Sequence, residues 1–178
     1  MFCYIMCLCN SNVGTKSGSE DSSFNNLLLC ALFICGDSMD NEFLTECVDL
    51  AIMASKLDEV PVGAIIVKNG KIVGKGYNRK ESSGLCTRHA EIAAIEEANK
   101  TFGSWRLDDC VLYVTLEPCL MCCGAILESR IKKVIYLSKR TNVLYNSSDY
   151  INSILFDKNV VLKEKYLNIL SDFFKKKR

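Results

Sequence analysis

Three side chains in this sequence are of the kinds that hold a transition metal, at spacings that allow it. Cys119 and Cys122, in "PCLMC", are three residues apart, which puts two sulfurs on one face of a helix. In a helix's first turn, unpaired N–H groups and the helix dipole favour thiolate over thiol. His89, in "TRHAEIAAIEEA", is the only histidine of the 178-residue chain. One imidazole and two thiolates are a usual donor set for Zn²⁺, and three protein ligands leave a tetrahedral ion an open position for water. Proton traffic at such a water needs a base nearby, and Glu91, two residues after His89, is the candidate. Residues i and i+2 do not face one another within a regular helix, so His89 and Glu91 can serve one site only if His89 stands at the helix start.

Other readings of the same residues stay open at this point. A Cys-x-x-Cys pair is also a redox dithiol or two buried thiols, although the redox pair ordinarily follows the first strand of a thioredoxin-like βαβ unit, which is not its place here. A closed structural zinc site could take Cys86 or Cys123 as fourth ligand. Cys123 points about 100° away from Cys122 around the helix, Cys86 would have to fold back from a loop, and Glu91 would have no part to play.

The surrounding pattern predicts the elements that position these groups. Phe43, Leu44, Cys47, Val48, Ala51 and Ile52 fall at helical spacing, in a helix expected to open at Met39. "VGAIIVKNGKIVGKGYN" gives two β-rich runs joined by Asn69-Gly70, a pair favoured in two-residue type I′ turns. A helix follows from about His89 to about Lys100, with Thr87 as the expected N-cap. "CVLYVTLE" is a near-continuous apolar strand covered on both faces, Pro118 is suited to opening the next helix, "KKVIYLS" is another buried strand, and "KEKYLNILSDFFKKKR" is helical by periodicity. The fold class expected is α/β: a three-layer α/β/α arrangement around a mixed sheet of about five strands.

Length and composition bound the rest. A chain of 178 residues, 49% hydrophobic and 24% charged, reads as one globular domain. Residues 1–38 are a different kind of sequence, with two short apolar patches around a Ser/Gly/Asn-rich middle; they are expected to be a disordered leader outside the body, with Met39 as the working start and 39–178 as the domain. The run "LLLCALFIC" is far short of the ~20 apolar residues that span a bilayer, and no secretory or mitochondrial signal fits. Eleven cysteines without a framework of even spacing point to reduced thiols and a cytoplasmic location. The net charge of +1 does not by itself announce a nucleic-acid ligand.

"HAE" followed by "PCLMC" matches the H-x-E…P-C-x-x-C signature of zinc nucleobase deaminases. From about Asp40 to Arg178 the chain resembles the bacterial tRNA-specific adenosine deaminases: "EVPVGAIIVKNGKIVGKGYNR" resembles their first hairpin, "LYVTLEPCLMCCGAILESRI" their metal helix, and "ILSDFFKKKR" their ending. The resemblance implies a cytidine deaminase-like fold and hydrolytic deamination of wobble adenosine to inosine in a tRNA anticodon loop. It implies one zinc per subunit on His89, Cys119 and Cys122, with Glu91 as proton shuttle. It also implies a homodimer, and contact of Asn78, Val62 and the backbone around Ala90 with the flipped base. By the residues alone, Asn78 is a strand-end turn residue.

Phe173 and Phe174 are expected to support the RNA surface, or equally to pack the last helix, with Lys175, Lys176, Lys177 and Arg178 near phosphates. One departure stands out: where the family has a Gly-rich segment of the kind "D-x-K-x-G-A-x-G-S", this chain has "KRTNVLYNSSDYIN". Two other functions fit the same chemistry less well. A free guanine or cytosine deaminase would not need the aromatic and basic C-terminal helix. A non-catalytic RNA-binding subunit would be expected to have lost Glu91.

Overall fold

In a computed structural model of the chain, described for residues 22–141, 147–149, 151, 154–156 and 159–177 (backbone alone for 22–38, 148 and 154–156), helices and strands alternate after a first hairpin. Helix α1 runs Ser22–Lys56, followed by strands β1 (Gly63–Lys68) and β2 (Lys71–Tyr77), the short helix α2 (Lys80–Ser83) and α3 (Ala90–Phe102). Then come β3 (Val111–Leu116), α4 (Leu120–Glu128), β4 (Lys133–Ser138), a 3₁₀ turn at Ser147–Asp149, β5 (Ile154–Phe156) and α5 (Val160–Lys176). The chain divides into two units, Met1–Ile34 and Cys35–Arg178. Of the first, only the helical backbone from Ser22 is described; the remainder of the expected leader lies outside the described residues. The helix expected to open at Met39 therefore begins earlier, at Ser22, and the Leu-rich run Leu27–Leu32 upstream of Met39 already favours helix.

The five strands lie in the order β2-β1-β3-β4-β5, with β1 antiparallel to β2 and β3, and with β3, β4 and β5 parallel. This is the mixed sheet expected. Period-2 alternation sorts its side chains into two cores. Ala64, Ile66, Leu112, Val114, Val134 and Tyr136 face α3 and α4, against Ala90, Ala94, Ile95, Ala98, Cys123 and Ile126. Ile65, Val67, Tyr113, Ile135 and Leu137 face the other way, onto Leu44, Cys47, Val48 and Ala51 of α1 and onto Leu162 and Tyr166 of α5. Three layers result, with α1 and α5 on one side and α3 and α4 on the other.

The local turns carry their sequence signals. Asn69 and Gly70 have φ of 51° and 71°, the two positive values a type I′ turn requires. Asn159 caps α5 by accepting from the Leu162 N–H at 2.9 Å. Helix α3 lies unusually close to β2, and glycine is the reason. A Cβ on Gly76 would stand 2.1 Å from the Ala90 carbonyl oxygen, and one on Gly74 2.3 Å from that of Ala94. Among the described residues, no helix is long and apolar enough to cross a membrane.

Candidate metal and active site

His89 and Cys119 occupy equivalent local positions. Each is the N-cap of a helix in extended conformation, with φ −81° and ψ 158° for His89 before α3, and φ −78° and ψ 168° for Cys119 before α4. Neither side chain caps its own helix, so both are available to something else. The expected cap, Thr87, is displaced from that role. Its carbonyl accepts from the His89 N–H at 2.8 Å, a three-residue turn that delays the helix to Ala90. Pro118 correspondingly precedes the cap of α4 instead of opening the helix.

The two caps and Cys122 meet. Cys119 Sγ lies 3.4 Å from Cys122 Sγ and 3.5 Å from His89 Nδ1, and Cys122 Sγ lies 3.6 Å from the same nitrogen. Zinc with Zn–S near 2.3 Å and Zn–N near 2.0–2.1 Å in tetrahedral geometry sets S–S and S–N edges of about 3.5–3.8 Å. The triangle fits that ion, and it is the one cluster of three metal-binding side chains among the described residues. Cys86 is exposed and is not part of it. Cys123 is buried in the core under α4, its thiol 3.9 Å from the Pro118 carbonyl oxygen. The closed four-ligand site is therefore not built.

Electrostatics at the triangle divide the two sulfurs. A hydrogen bond from the Cys122 thiol, with a further one from His89, pushes the Cys119 thiol down to about 3. Donating that proton, together with burial, pushes Cys122 the other way. The bond to Cys119 raises His89. Glu91, only 4% exposed, is pushed above the ordinary carboxylate range by burial, and the negative Cys119 sulfur adds to the shift. Because His89 is in extended backbone and Glu91 is the second helical residue, the two converge as the i, i+2 spacing requires.

His89 and Glu91 open on a cavity of about 260 Å³, lined also by Val60, Val62, Asn78, Lys80, Leu116, Glu117 and Arg140. It sits at the carboxyl end of β3 and the amino ends of α3 and α4, where open α/β sheets bind their ligands. Asn78 and Val62, the residues expected to contact the base, both line it. The expectation for Ala90 concerned the backbone around it; its side chain turns into the core, while its neighbours His89 and Glu91 line the cavity.

Pattern reading missed Glu59, Lys80, Leu116, Glu117 and Arg140. Glu117 directly precedes "PCLMC" and accepts from the Ser147 hydroxyl and, at 3.2 Å, from the Arg140 N–H. It ties the glycine-less segment to the cavity wall, although positions 142–146, 150 and 152 of that segment lie outside the described residues. Glu59 is fully buried and accepts from Asn78 Nδ2 at 3.2 Å.

At the other end of the chain, Phe173 is buried and Phe174 is 47% exposed, their rings edge to face at 5.4 Å. Phe173 and Lys177 line a second cavity with Leu57, Asp58, Glu81 and Val60, and Val60 also lines the first. Lys177 pairs with Asp58 and Lys175 with Asp172. Lys176 is exposed, and Arg178 lies outside the described residues.

Comparison with known proteins agrees with this geometry. The family model of the cytidine and deoxycytidylate deaminase zinc-binding region matches residues 37–138. The tRNA-specific adenosine deaminase of Streptococcus pyogenes serotype M18 is 39% identical over 145 residues, covering 76% of this chain and 90% of that protein. That of Buchnera aphidicola subsp. Schizaphis graminum is also 39% identical, covering 78% and 96%. A structure from studies of A-to-I editing by tRNA:A34 deaminases superposes with a TM-score of 0.65 at 29% identity, over 73% of this chain and 99% of the other. Guanine deaminase from Bacillus subtilis gives 0.54 at 31%, over 74% and 93%. With the donor triangle, the buried glutamate and the three-layer sheet in place, the chain belongs to the cytidine and deoxycytidylate deaminase zinc-binding family, among the tRNA-specific adenosine deaminases.

Proposed function

We propose that this chain hydrolyses the wobble adenosine of tRNA to inosine, releasing ammonia, with zinc held by His89 Nδ1, Cys119 Sγ and Cys122 Sγ. The observation that carries the chemistry is that His89, one corner of the donor triangle, and the buried Glu91 line one cavity with Asn78. The adenosine and the tRNA rest on the relatives, which are tRNA-specific adenosine deaminases.

A zinc ion held by His89, Cys119 and Cys122 would supply an acidified water at near-neutral pH. Glu91 takes the water's proton, delivers it to the ring nitrogen beside the reacting carbon, and helps the amine leave as ammonia. Burial keeps its carboxyl poised for both transfers. Asn78, whose amide can donate and accept at once, reads the edge of the base. Val60, Val62 and Leu116 give the cavity apolar walls. At about 260 Å³ it is just under the usual ~300–1,000 Å³ of ligand sites, which suits a single flipped base. Flipping costs least where the base is already unpaired, a reason to act on an anticodon loop.

The domain assigned to this activity is 39–178, acting in the cytoplasm as a homodimer. The apolar stripe Leu120 and Leu127, 49% and 43% exposed, supports dimerisation; it flanks Gly124, over which a Cβ would meet nothing within 4 Å. The RNA surface includes Phe174 and the basic tail Lys175–Arg178; Phe173 and Lys177 line the cavity that shares Val60 with the site.

One assay tests the whole reading. The zinc-loaded full chain is incubated with an arginine tRNA bearing an ACG anticodon and read for inosine. Inosine is expected from the wild type, and Glu91→Ala is expected to lower turnover by ~10²–10⁴-fold with zinc retained. The similarity to guanine deaminase supplies the rival. Xanthine from free guanine, with no inosine from tRNA, overturns the tRNA assignment while keeping the site.

A further inference from the structure

Glu59 is a carboxylate beside the site that the chemistry above does not use, as is Glu117, which lines the cavity. Glu59 stands just after α1, with no exposed surface, and it makes no ion pair among the described residues. Three donors satisfy it instead: the Ser82 N–H at 2.6 Å, the Glu81 N–H at 3.1 Å and Asn78 Nδ2 at 3.2 Å. Its neighbours are thus one cavity-lining side chain and the backbone of α2, whose first residue, Lys80, lines the same cavity. Burial opposes ionisation, but the hydrogen bonds from Ser82 and Glu81 outweigh it and hold the carboxyl below the ordinary range. An ionised carboxylate accepts and never donates. Facing Glu59, the Asn78 amide can therefore present only its nitrogen, and its Oδ1 turns away. No donor among the described residues is bonded to that oxygen, and it is not a sealed, unsatisfied atom.

We infer that Glu59 is a positioning residue that fixes the amide of Asn78 in one of its two flips. The Oδ1 and the second N–H of Asn78 are thereby presented to the base, and α2 is locked as the adjoining wall. This rests on the reading that Asn78 meets the base. A glutamine at 59 cannot play the same part. Its single oxygen does not serve all three donors, and an N–H aimed at Asn78 turns the amide over, so the cavity receives two N–H donors and no acceptor.

The test is a double-mutant cycle of Glu59→Gln and Asn78→Ala in the zinc-loaded full chain. The readouts are kcat and KM for inosine formation in tRNA, zinc content, and the NMR signals of the Asn78 side-chain amide. Glu59→Gln alone is expected to lower kcat/KM by about 10- to 100-fold, the scale of a hydrogen bond to a charged group. In the Asn78→Ala background its effect is expected to shrink to within about 2-fold, because the two act as one unit. The wild-type amide pair is expected to exchange slowly and shift as Glu59 titrates, and to lose both features in Glu59→Gln.

An equal loss in both backgrounds, or an Asn78 amide unchanged by Glu59→Gln, overturns the inference. Should Glu59→Gln fail to fold, Glu59→Asp, which keeps the acceptors but pulls them back by one methylene, takes its place with the same criteria. The NMR arm does not depend on the substrate. An absence of inosine from wild type beside a coupled Asn78 amide therefore fails the tRNA reading and leaves the positioning role standing.

Discussion

A carboxylate with no cation beside it remains ionised inside a protein only while its hydrogen bonds hold, and Glu59 is such a group. Its folded-state pKa lies below its unfolded value, so its contribution to stability is present above the unfolded pKa, near 4.3 for glutamate. That contribution is lost as pH falls through the folded value. Thermal unfolding followed from pH 7 to pH 3 is expected to show a steeper acid loss in wild type than in Glu59→Gln. Parallel curves would mean that the carboxyl is not held down as described. The residue scale is also where sequence reading divides most sharply. The grouping of His89, Cys119 and Cys122, and Glu91 beside them, was legible from donor chemistry and from the H-x-E…P-C-x-x-C signature that the chain shares with the deaminases. Glu59 was not, since its partners lie 19 to 23 residues away and only the fold makes them neighbours.

At the scale of elements, the first turn of α3 is where chemistry and packing meet. Gly76 sits under the Ala90 carbonyl, one peptide from His89 and Glu91, while Gly74 sits a turn further along under Ala94 and Ala98. Replacing either by alanine overpacks the same interface, at a cost of about 1–3 kcal/mol. The two are expected to differ in function. Gly76→Ala displaces the metal-bearing turn and lowers zinc affinity and turnover of the folded protein, whereas Gly74→Ala lowers the melting temperature with zinc binding preserved. Equal zinc titrations for the two variants would refute a special role for the first turn. The Asn69-Gly70 turn, the buried strands and the order of helices were legible from turn chemistry and periodicity. The cap of α3 was not, because threonine's general preference for that position was outweighed by the turn through which His89 bonds the Thr87 carbonyl.

For the whole molecule, the layering was legible and the assembly was not, since an exposed apolar stripe on α4 carries no periodic signal distinct from a buried one. Sedimentation of the full chain is expected to give a dimer, and Leu127→Glu, on the stripe but away from the metal residues, a monomer at micromolar concentration. A monomeric wild type would assign the stripe to another partner. The placement of His89 and Cys119 has a consequence for how the molecule is held together. Each occupies the position where a side chain would ordinarily tie off its helix, and neither does so. One helix belongs to the hairpin half of the sheet and the other to the parallel half. A bound ion would clasp together halves that otherwise begin their helices untied, and part of its affinity would be folding free energy. After chelation, amide exchange is expected to quicken first at Ala90–Ala93 and Leu120–Cys123, together and ahead of the strands.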